Sequence, residues 1–455
     1  MLFPHILYAA VVPVVFSSYG ASASRLALDD QIHQRQWMPT SPTLPQGWLA
    51  GIIQQASSSP QPLHLVLEEF KTLIDTNARL YMLFESMFQE QQSSGIDDPG
   101  IPPIQGYQHM LQTFNYFLTT APSWDDRLYR MGRAGIPFST ILHWPMRTPS
   151  GHIVFQDPTV NTMIQKMLDA WGAFLDSPAS ATVLGNSSTG WFGPVGMRAL
   201  TEAVNIGGAT TYQFDEAYVS DPAALYHGFT SWDDFFTREF RHGIRPIEGE
   251  GNDTVIVNAC ESMPSVVQRN VKARDRFWIK EQPYSVLDML DRDPLAGRFI
   301  GGTAYQGFLT SLGYHRWHAP VSGTILRTLT INGTYFSEAP FLTLNNTADE
   351  ELTATQYLAT MATRSVIFIQ ADNPAIGVVA FVGVGMGEVS TCEITVQEGQ
   401  QVYKGDQLGM FHFGGSTHCL VFEKGVNIEG FPDIKTDKTV PVRSQLAVIR
   451  PENLG

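Results

Sequence analysis

The stretch EGQQVYKGDQLGMFHFGGST, residues 398–417, decides how the rest of the chain is interpreted. Apolar and polar residues alternate in it around Gly399, Gly405 and Gly409, which is typical of short, half-buried strands joined by turns. We therefore predict a compact β-hairpin over 398–415 that leads directly into Ser416. Because two glycines precede that serine, the backbone there can adopt conformations that are closed to other residues.

Runs of similar character continue on both sides of this stretch, from about residue 206 to the C-terminus. Each run is short, rich in β-branched or aromatic residues, and bounded by Gly, Asn or Pro, as strands in antiparallel domains are. Residues 206–455 are therefore expected to form one mostly antiparallel β domain. The predicted strands are Thr254–Val257, Val321–Leu329, Ser365–Gln370, Ile376–Val384, Thr391–Val396 and Val440–Ile449.

Upstream of residue 206, the apolar spacing changes to that of amphipathic helices. Apolar side chains recur every three or four residues from Leu63 to Gln91, over Met110–Thr119, and along 158–176, where Pro158 suits a first helical position. We predict a helical accessory domain over residues 61–205. The fold class is then α+β, with an N-terminal helical accessory region followed by the mostly antiparallel β catalytic domain.

Residues 1–60 divide into an apolar N-terminal segment and a flexible lead-in. Leu2–Ser17 has the length and hydrophobicity of a signal peptide, and the small residues at 21–23 suit a cleavage site. Two prolines interrupt the apolar run, and the positive charge that usually precedes it is missing. We therefore expect a cytoplasmic protein, with the secretory pathway through residues 1–24 as the alternative. Residues 24–60, rich in Gln, Pro and Ser, predict an extended lead-in.

The composition narrows the classes of function. The chain has 455 residues, of which 43% are hydrophobic and 16% charged, which is enough for a large core in two cooperating domains. Its formal net charge of −15 opposes contact with nucleic acid or anionic membranes, and neither is expected as a partner. The three cysteines are too few for a disulfide framework and lack zinc-site spacing, so no metal is expected.

The serine after the two glycines could do chemistry on its own backbone. Its hydroxyl can attack the carbonyl of Gly415 and shift the peptide bond to an ester. Elimination of that ester cuts the chain and leaves dehydroalanine, which water converts to a pyruvoyl group. Taken alone, Gly414-Gly415-Ser416-Thr417 is more often a turn or a flexible loop.

Two further candidate groups precede that serine in the chain. His315 and His318, in YHRWHAP, could act as acid and base, bind a metal, or be ordinary surface residues. No further ligand at suitable spacing favours the metal. Glu261, at the end of a predicted strand, could orient a histidine or could simply be solvated.

These signals occur in a fixed order: a carboxylate, then His-x-x-His, then Gly-Gly-Ser-Thr near the C-terminus. With this order of motifs, the chain resembles the phosphatidylserine decarboxylases. Those are pyruvoyl enzymes that mature by serinolysis. The resemblance runs from about residue 206 to the end. The N-terminal region resembles that of the fungal aromatic-amino-acid (L-tryptophan) decarboxylases, through FNYFLTTAP (114–122) and DAWGAFLDS (169–177). The motifs of the β domain are DDFFTREFRHGIRPI (233–247), FWIKEQPYSVLDML (277–290), YHRWHAPVSGTI (314–325) and KGDQLGMFHFGGST (404–417).

The resemblance implies a role for each candidate residue. Ser416 is the self-cleaving nucleophile and the precursor of the pyruvoyl cofactor, with the cut between Gly415 and Ser416. His318 is the base that activates it, and His315 recognises or protonates the substrate. Glu261 stands where the lipid enzymes carry Asp, as the partner of a histidine.

The resemblance also implies a reaction and its partners. The expected reaction is pyruvoyl-dependent decarboxylation of an aromatic L-amino acid, a small-molecule substrate, without pyridoxal phosphate or metal. The two fragments are expected to stay associated. Phosphatidylserine decarboxylation is the alternative, and membrane contact is otherwise not expected.

Other interpretations stay open on the residues alone. A serine hydrolase would need Gly at position 418, where the chain has His418. A non-catalytic binding protein that is never cut is the remaining alternative. His412 and His418 are taken as bystanders, and Gly383–Gly387 as a cluster of β-turns rather than a nucleotide loop. Trp317 and Tyr284 fit either the core or a substrate pocket.

Overall fold

A computed structural model describes residues 51–56, 61–93, 104–130, 133–142, 145–274, 285–337, 357–388, 390–413, 416–434 and 438–450. The predictions for the N-terminal apolar segment, Tyr284 and the Gly414–Gly415 pair lie outside these residues. None of the helices within the described ranges is long and apolar enough to cross a membrane.

Helices fill the N-terminal half of the described chain, and several begin at a recognisable capping signal. Proline is the first residue of four of them, where its missing N–H removes no helical bond. The helices are α1 at residues 51–56, α2 Leu65–Thr76, α3 Ala78–Ser93, α4 Tyr107–Phe117, α5 Asp126–Arg130, α6 Pro137–Leu142, α7 Pro149–Gln156, α8 Pro158–Leu175, α9 Pro194–Val204, α10 Phe214–Ala217 and α11 Trp232–Phe236.

The predicted helices are confirmed, with two differences. Residues 51–56, which fall within the predicted extended lead-in, form helix α1 and bury Ile53 in the helical core. The apolar run from Leu63 to Gln91 forms two helices rather than one, because Asn77 has an extended backbone (φ −110°, ψ 101°). Its side chain accepts a hydrogen bond from the backbone N–H of Leu80 at 3.1 Å, and so caps the start of the second helix. Helical periodicity continues across such a break, so the spacing alone does not reveal it.

The helices share one hydrophobic core that runs beyond residue 205. The inner stripe of α8, from Val160 to Leu175, is buried in it. Phe214, Trp232 and Phe235 join the same core from later in the chain. The segment between 206 and 240 therefore packs with the helices, while the domain boundary itself stays a prediction.

The C-terminal half is built from antiparallel strands, as the fold class requires, and the α+β prediction is confirmed. Two short helices, α12 Val286–Met289 and α13 at residues 357–361, interrupt them. The strands are β1 Val255–Val257, β2 Met263–Arg269, β3 Thr303–Leu309, β4 Arg316–His318, β5 Gly323–Ile331, β6 Arg364–Ala371, β7 Val378–Gly385, β8 Thr391–Ile394, β9 Gln401–Val402, β10 Gln407–His412, β11 Ser416–Phe422, β12 Ile428–Glu429 and β13 Gln445–Ile449.

Three sheets result from the pairing of these strands. The largest has the order β2-β3-β11-β7-β6-β5-β9, and the two smaller ones have the orders β4-β10-β8 and β1-β13-β12. One face of the large sheet and the small sheets enclose a core that contains Leu420 and Phe422 of β11. The other face buries Cys419 and Val421 under α12. Because side chains alternate along a strand, Ser416 and His418 share the face of Leu420.

The predicted hairpin over 398–415 is wrong. Its two strands do not pair with each other: β9 is an edge strand of the large sheet, next to β5, whereas β10 lies between β4 and β8. Gly405, with φ +89°, turns the chain from one sheet to the other. Alternation identifies strands correctly here, but the partner of each strand is set by contacts far away in the sequence.

Trp317 belongs to the core. Its side chain is fully buried and lies between two strands at points where they carry glycine. A Cβ atom on Gly409 would lie 2.7 Å from its ring, and one on Gly383 would lie 3.0 Å from it. The indole therefore fills the space that those two glycines leave, and this aromatic residue is packing rather than pocket lining.

We expect Gly409→Ala to destabilise the β domain. Its new Cβ would also lie 2.2 Å from the carbonyl oxygen of Glu393, so both backbone and indole must shift. Such overpacking lowers stability by about 1–3 kcal/mol. The thermal unfolding midpoint should fall by several degrees, whereas Gly251→Ala, with no atom within 4 Å of the added Cβ, should leave it unchanged. Equal midpoints for the two variants would contradict this packing.

Candidate active site

Ser416 is the first residue of a central strand. On β11 it lies between Leu309 of β3 and Gly385 of β7, and its side chain is fully buried. Its Oγ makes no hydrogen bond with any described residue. A buried hydroxyl without a partner lowers stability by about 1–3 kcal/mol, and a chemical role is one explanation for such a group.

His318 is buried and hydrogen-bonded on both sides of its ring. Nε2 lies 3.0 Å from the hydroxyl of Tyr314, and Nδ1 lies 2.9 Å from the carbonyl oxygen of Gly405. With the ring proton on Nδ1, that atom donates to Gly405 and Nε2 accepts from the tyrosine; with the proton on Nε2, Nδ1 instead accepts from Arg443 Nη2 at 3.1 Å. Burial, together with the guanidinium of Arg443 at 3.1 Å, lowers the pKa of His318 to about 3. The imidazole is therefore neutral at physiological pH.

His315, three residues earlier, has different surroundings. Its ring is fully buried and stacks on Phe236 of α11, with centroids 4.1 Å apart and planes at 23°. Its carbonyl oxygen accepts a hydrogen bond of 3.0 Å from the N–H of Phe411 on β10. The histidine thus joins the helical region to the strand that leads toward Ser416.

Glu261 does not contact either histidine. Its carboxylate forms a buried, bidentate ion pair with Arg245, at 2.7 and 2.8 Å, and accepts a longer bond of 3.4 Å from the N–H of Val442. The expected carboxylate–histidine pair is therefore replaced by a carboxylate–arginine pair, since a guanidinium presents two parallel donors. Any catalytic role of Glu261 stays a prediction.

The structure brings the two histidines to the strand that precedes Ser416, but it does not join them to the serine. β4 pairs with β10, so that His318 is opposite Gln407, and β10 ends at His412. Within the described residues, no hydrogen bond connects Ser416 Oγ to His315 or His318. Catalytic hydrogen bonds often form only in the reacting state, so this geometry leaves their roles as predictions.

His412 is held by two carboxylates. Its Nδ1 lies 2.9 Å from Asp233 of α11, and its Nε2 lies 3.0 Å from Glu393 of β8. Burial alone would lower the pKa of this imidazole, but the two carboxylates outweigh burial and raise it above the usual value. The end of β10 is therefore tied by charge to the helical region and to the adjacent strand.

His418 lies two residues beyond Ser416 on the same face of β11. Its ring is fully buried between Tyr305 and Phe381, with centroids 5.8 and 6.0 Å away. Burial lowers the pKa of His418 to about 3, against the opposing effect of the Gly307 backbone. The two-residue spacing could have shown from the sequence that this histidine shares the face of the serine.

Glu388 is a buried carboxylate that the sequence patterns did not single out. It follows β7, three residues after the Gly385 that pairs with Ser416, and is fully buried. Its carboxylate accepts hydrogen bonds from the hydroxyl of Ser139 and from the N–H of Phe138 at 2.9 Å, both on α6. Burial raises the pKa of Glu388 to about 7, although these bonds oppose the shift.

The run Gly383–Gly387, which was predicted to be a cluster of β-turns, is mainly strand. Gly383 and Gly385 lie within β7, and only Gly387, with φ +62°, lies in the turn that follows. Among the described residues, no group of three or more His, Cys, Asp or Glu side chains is arranged to hold a metal ion.

The comparison with known proteins agrees with the motifs. Two family profiles, both described as phosphatidylserine decarboxylase, match residues 64–200 and 232–446. The chain is 41% identical to the decarboxylase iboD of Amanita muscaria over 69% of this chain and 91% of that protein. It is 35% identical to the L-tryptophan decarboxylase of Psilocybe cubensis over 86% and 89% of the two chains.

A lipid enzyme is also similar, over a shorter part of both chains. The phosphatidylserine decarboxylase proenzyme 2 of Oryza sativa subsp. japonica is 28% identical over 59% of this chain and 38% of its own length. The fungal enzymes therefore match the helical region as well as the β domain. With both regions matched, the chain belongs to the phosphatidylserine decarboxylase family and is a carboxy-lyase.

Proposed function

We propose that the chain cuts itself between Gly415 and Ser416 and then decarboxylates an aromatic L-amino acid. The observation that carries the first step is the buried Oγ of Ser416 at the start of β11, which has no hydrogen-bond partner among the residues that the structure describes. That oxygen attacks the carbonyl carbon of Gly415 and forms an ester as the peptide C–N bond breaks. Loss of the Cα proton of residue 416 expels the Gly415 carboxylate. Water then replaces the nitrogen of the resulting dehydroalanine, and ammonia leaves.

His318 is the base that these reaction steps require. It is neutral, so with the ring proton on Nδ1 its Nε2 has a lone pair available to accept a proton. In the structure the hydroxyl of Tyr314 occupies that lone pair, at 3.0 Å. Proton transfer from Ser416 therefore requires the tyrosine hydroxyl to turn away or to pass the proton on.

The surroundings of residue 416 fit a ketone made from the serine. The hydroxyl has no hydrogen bond to lose within the described residues, and Leu309 and Gly385 flank it without adding charge. Such a ketone supplies the electron sink that decarboxylation of an amine-bearing acid needs. The protein contributes position and burial, since β11 is held by a strand on each side.

An aromatic amino acid is the substrate that the comparisons favour. The relatives that match both regions of the chain are named as a decarboxylase and as L-tryptophan decarboxylases. The net charge of −15 also disfavours binding at an anionic lipid surface. His315, stacked on Phe236 beside β10, is the residue we assign to substrate recognition or protonation. A cytoplasmic location stays a prediction.

The two fragments should remain bound to each other after the cut. The short fragment supplies β11, which lies between β3 and β7, and β13, which lies between β1 and β12. The same fragment carries β12, so its removal would split the large sheet between β3 and β7, leave β1 without a partner strand and expose apolar faces.

Intact-mass measurement under denaturing conditions tests the cut. The purified chain should give fragments 1–415 and 416–455, with the short one lighter than its encoded peptide by one ammonia. Ser416→Ala should give a single uncut chain. Thr417→Ser is the matched control: its Oγ keeps a donor for the carbonyl of Gly307, 2.8 Å away in the wild type, and cutting should proceed. An uncut, fully active wild-type chain would refute the proposal.

Release of CO2 tests the substrate. The cut protein should decarboxylate L-tryptophan, L-tyrosine or L-phenylalanine, and should release little CO2 from phosphatidylserine vesicles. Uncut Ser416→Ala protein provides the background for both assays. CO2 from the vesicles alone would replace the aromatic substrate with the lipid one.

The pH dependence of the cut tests His318. Because its pKa is lowered to about 3, this base stays deprotonated as the pH falls through 6.5, and the rate should stay level from about pH 8 to about pH 5. His318→Ala should slow the cut by about 10²-fold or more. His242→Ala, at an exposed position, should not. A fall in rate with a midpoint near pH 6.5 would point to a base with an ordinary histidine pKa.

A further inference from the structure

Phe413, three residues before Ser416, has an unusual backbone conformation. Its φ angle is +79°, in the left-handed region that bulky side chains rarely adopt. Strain of this kind persists only where the surroundings hold the residue in place, and it often lies at functional sites. The surroundings of Phe413 are therefore informative.

The aromatic ring of Phe413 is seated in the helical core rather than in the β domain. The side chain is 5% exposed and belongs to the same hydrophobic cluster as α8. Its ring centroid lies 5.8 Å from that of Trp171, with planes at 53°. The ring also covers Gly172: a Cβ atom there would lie 3.0 and 3.1 Å from two of the ring carbons.

The chain is also held in place on both sides of Phe413, at His412 and at Ser416. On one side, His412 is bonded to the carboxylates of Asp233 and Glu393 and ends β10. On the other side, Ser416 is paired with Leu309 and Gly385. The helical region thus holds the chain at Phe413, between two anchored strands and immediately before the two glycines.

We propose that Phe413, seated on Trp171 and Gly172, is a positioning residue for the self-cleavage of this chain. The inference rests on the proposed function, since it assigns to the helical region a part in the cut itself. Seating the ring holds the backbone in its left-handed conformation where the chain enters the Gly414–Gly415 step. The packing of Phe413 on Trp171 and Gly172 therefore sets how fast the bond between Gly415 and Ser416 is cut.

The test measures the rate of the cut in newly made chains. Chains produced by cell-free translation are sampled over time on denaturing gels, together with the thermal unfolding midpoint of the purified Ser416→Ala counterparts. Phe413→Ala removes the ring and should slow the cut by about tenfold, because misplacement by about 1 Å can reduce rates by 10²-fold.

Gly172→Ala separates positioning from folding. Alanine favours a helix interior over glycine, so α8 should not be weakened. The new Cβ must push the ring by a few tenths of an ångström, and the cut should slow by about threefold. The matched control is Gly297→Ala, an exposed glycine with no atom within 4 Å of the added Cβ, and it should cut at the wild-type rate.

A second substitution supplies a rescue. Leucine at position 413 lacks the outer ring carbons that the added Cβ approaches, so Gly172→Ala combined with Phe413→Leu should cut faster than the sum of the single effects predicts.

If Gly172→Ala and Phe413→Ala cut at the wild-type rate, the inference is wrong while the proposed function stands. If the wild-type chain is never cut, the proposed function fails, and the inference fails with it. If Phe413→Ala does not fold, the result for Gly172→Ala decides.

Discussion

The site depends on one serine hydroxyl, which is buried at the start of a central strand. No described residue forms a hydrogen bond with it. The strand cannot move, because β3 and β7 pair with it along its whole length. The pairing therefore holds the hydroxyl in place, and no described residue forms a hydrogen bond with it. A side chain in that state destabilises the resting fold slightly and is ready for chemistry on the adjacent backbone.

The helical region contacts the β domain beside the site that we propose. It bonds to or packs against three segments, which follow β7, follow β10 and precede the two histidines. Glu388, after β7, is bonded to α6. Phe413, after β10, is packed against α8. Arg238, just after α11, donates to the carbonyl oxygens of Leu312 and Gly313, at 2.6 and 3.0 Å, immediately before the segment with the two histidines. Removing the helices would therefore disturb the site as well as expose the shared core.

Local sequence patterns predicted the helices and strands. The strand partners, the ion pairs and the burial depend on contacts between residues far apart in the sequence, so these patterns could not show them. Helical spacing located α8 almost to the residue, and Pro158 marked its start. Alternation located β10 but gave it the wrong partner, because pairing with β4 depends on residues about 90 positions earlier. Glu261 looked like a partner for histidine, yet it is bonded to Arg245, a residue in a loop whose position only the fold determines. The raised pKa of Glu388 and the lowered pKa of His318 follow from burial, which the sequence does not report.

The most direct test of the central claim is chemical trapping at residue 416. The purified protein is treated with labelled L-tryptophan and sodium cyanoborohydride, and the fragments are then separated under denaturing conditions and analysed by mass spectrometry. A ketone derived from Ser416 should place the label on the first residue of the short fragment, and Ser416→Ala protein should carry none. Label on a lysine of the long fragment, or no label in a protein that releases CO2 from tryptophan, would contradict this account.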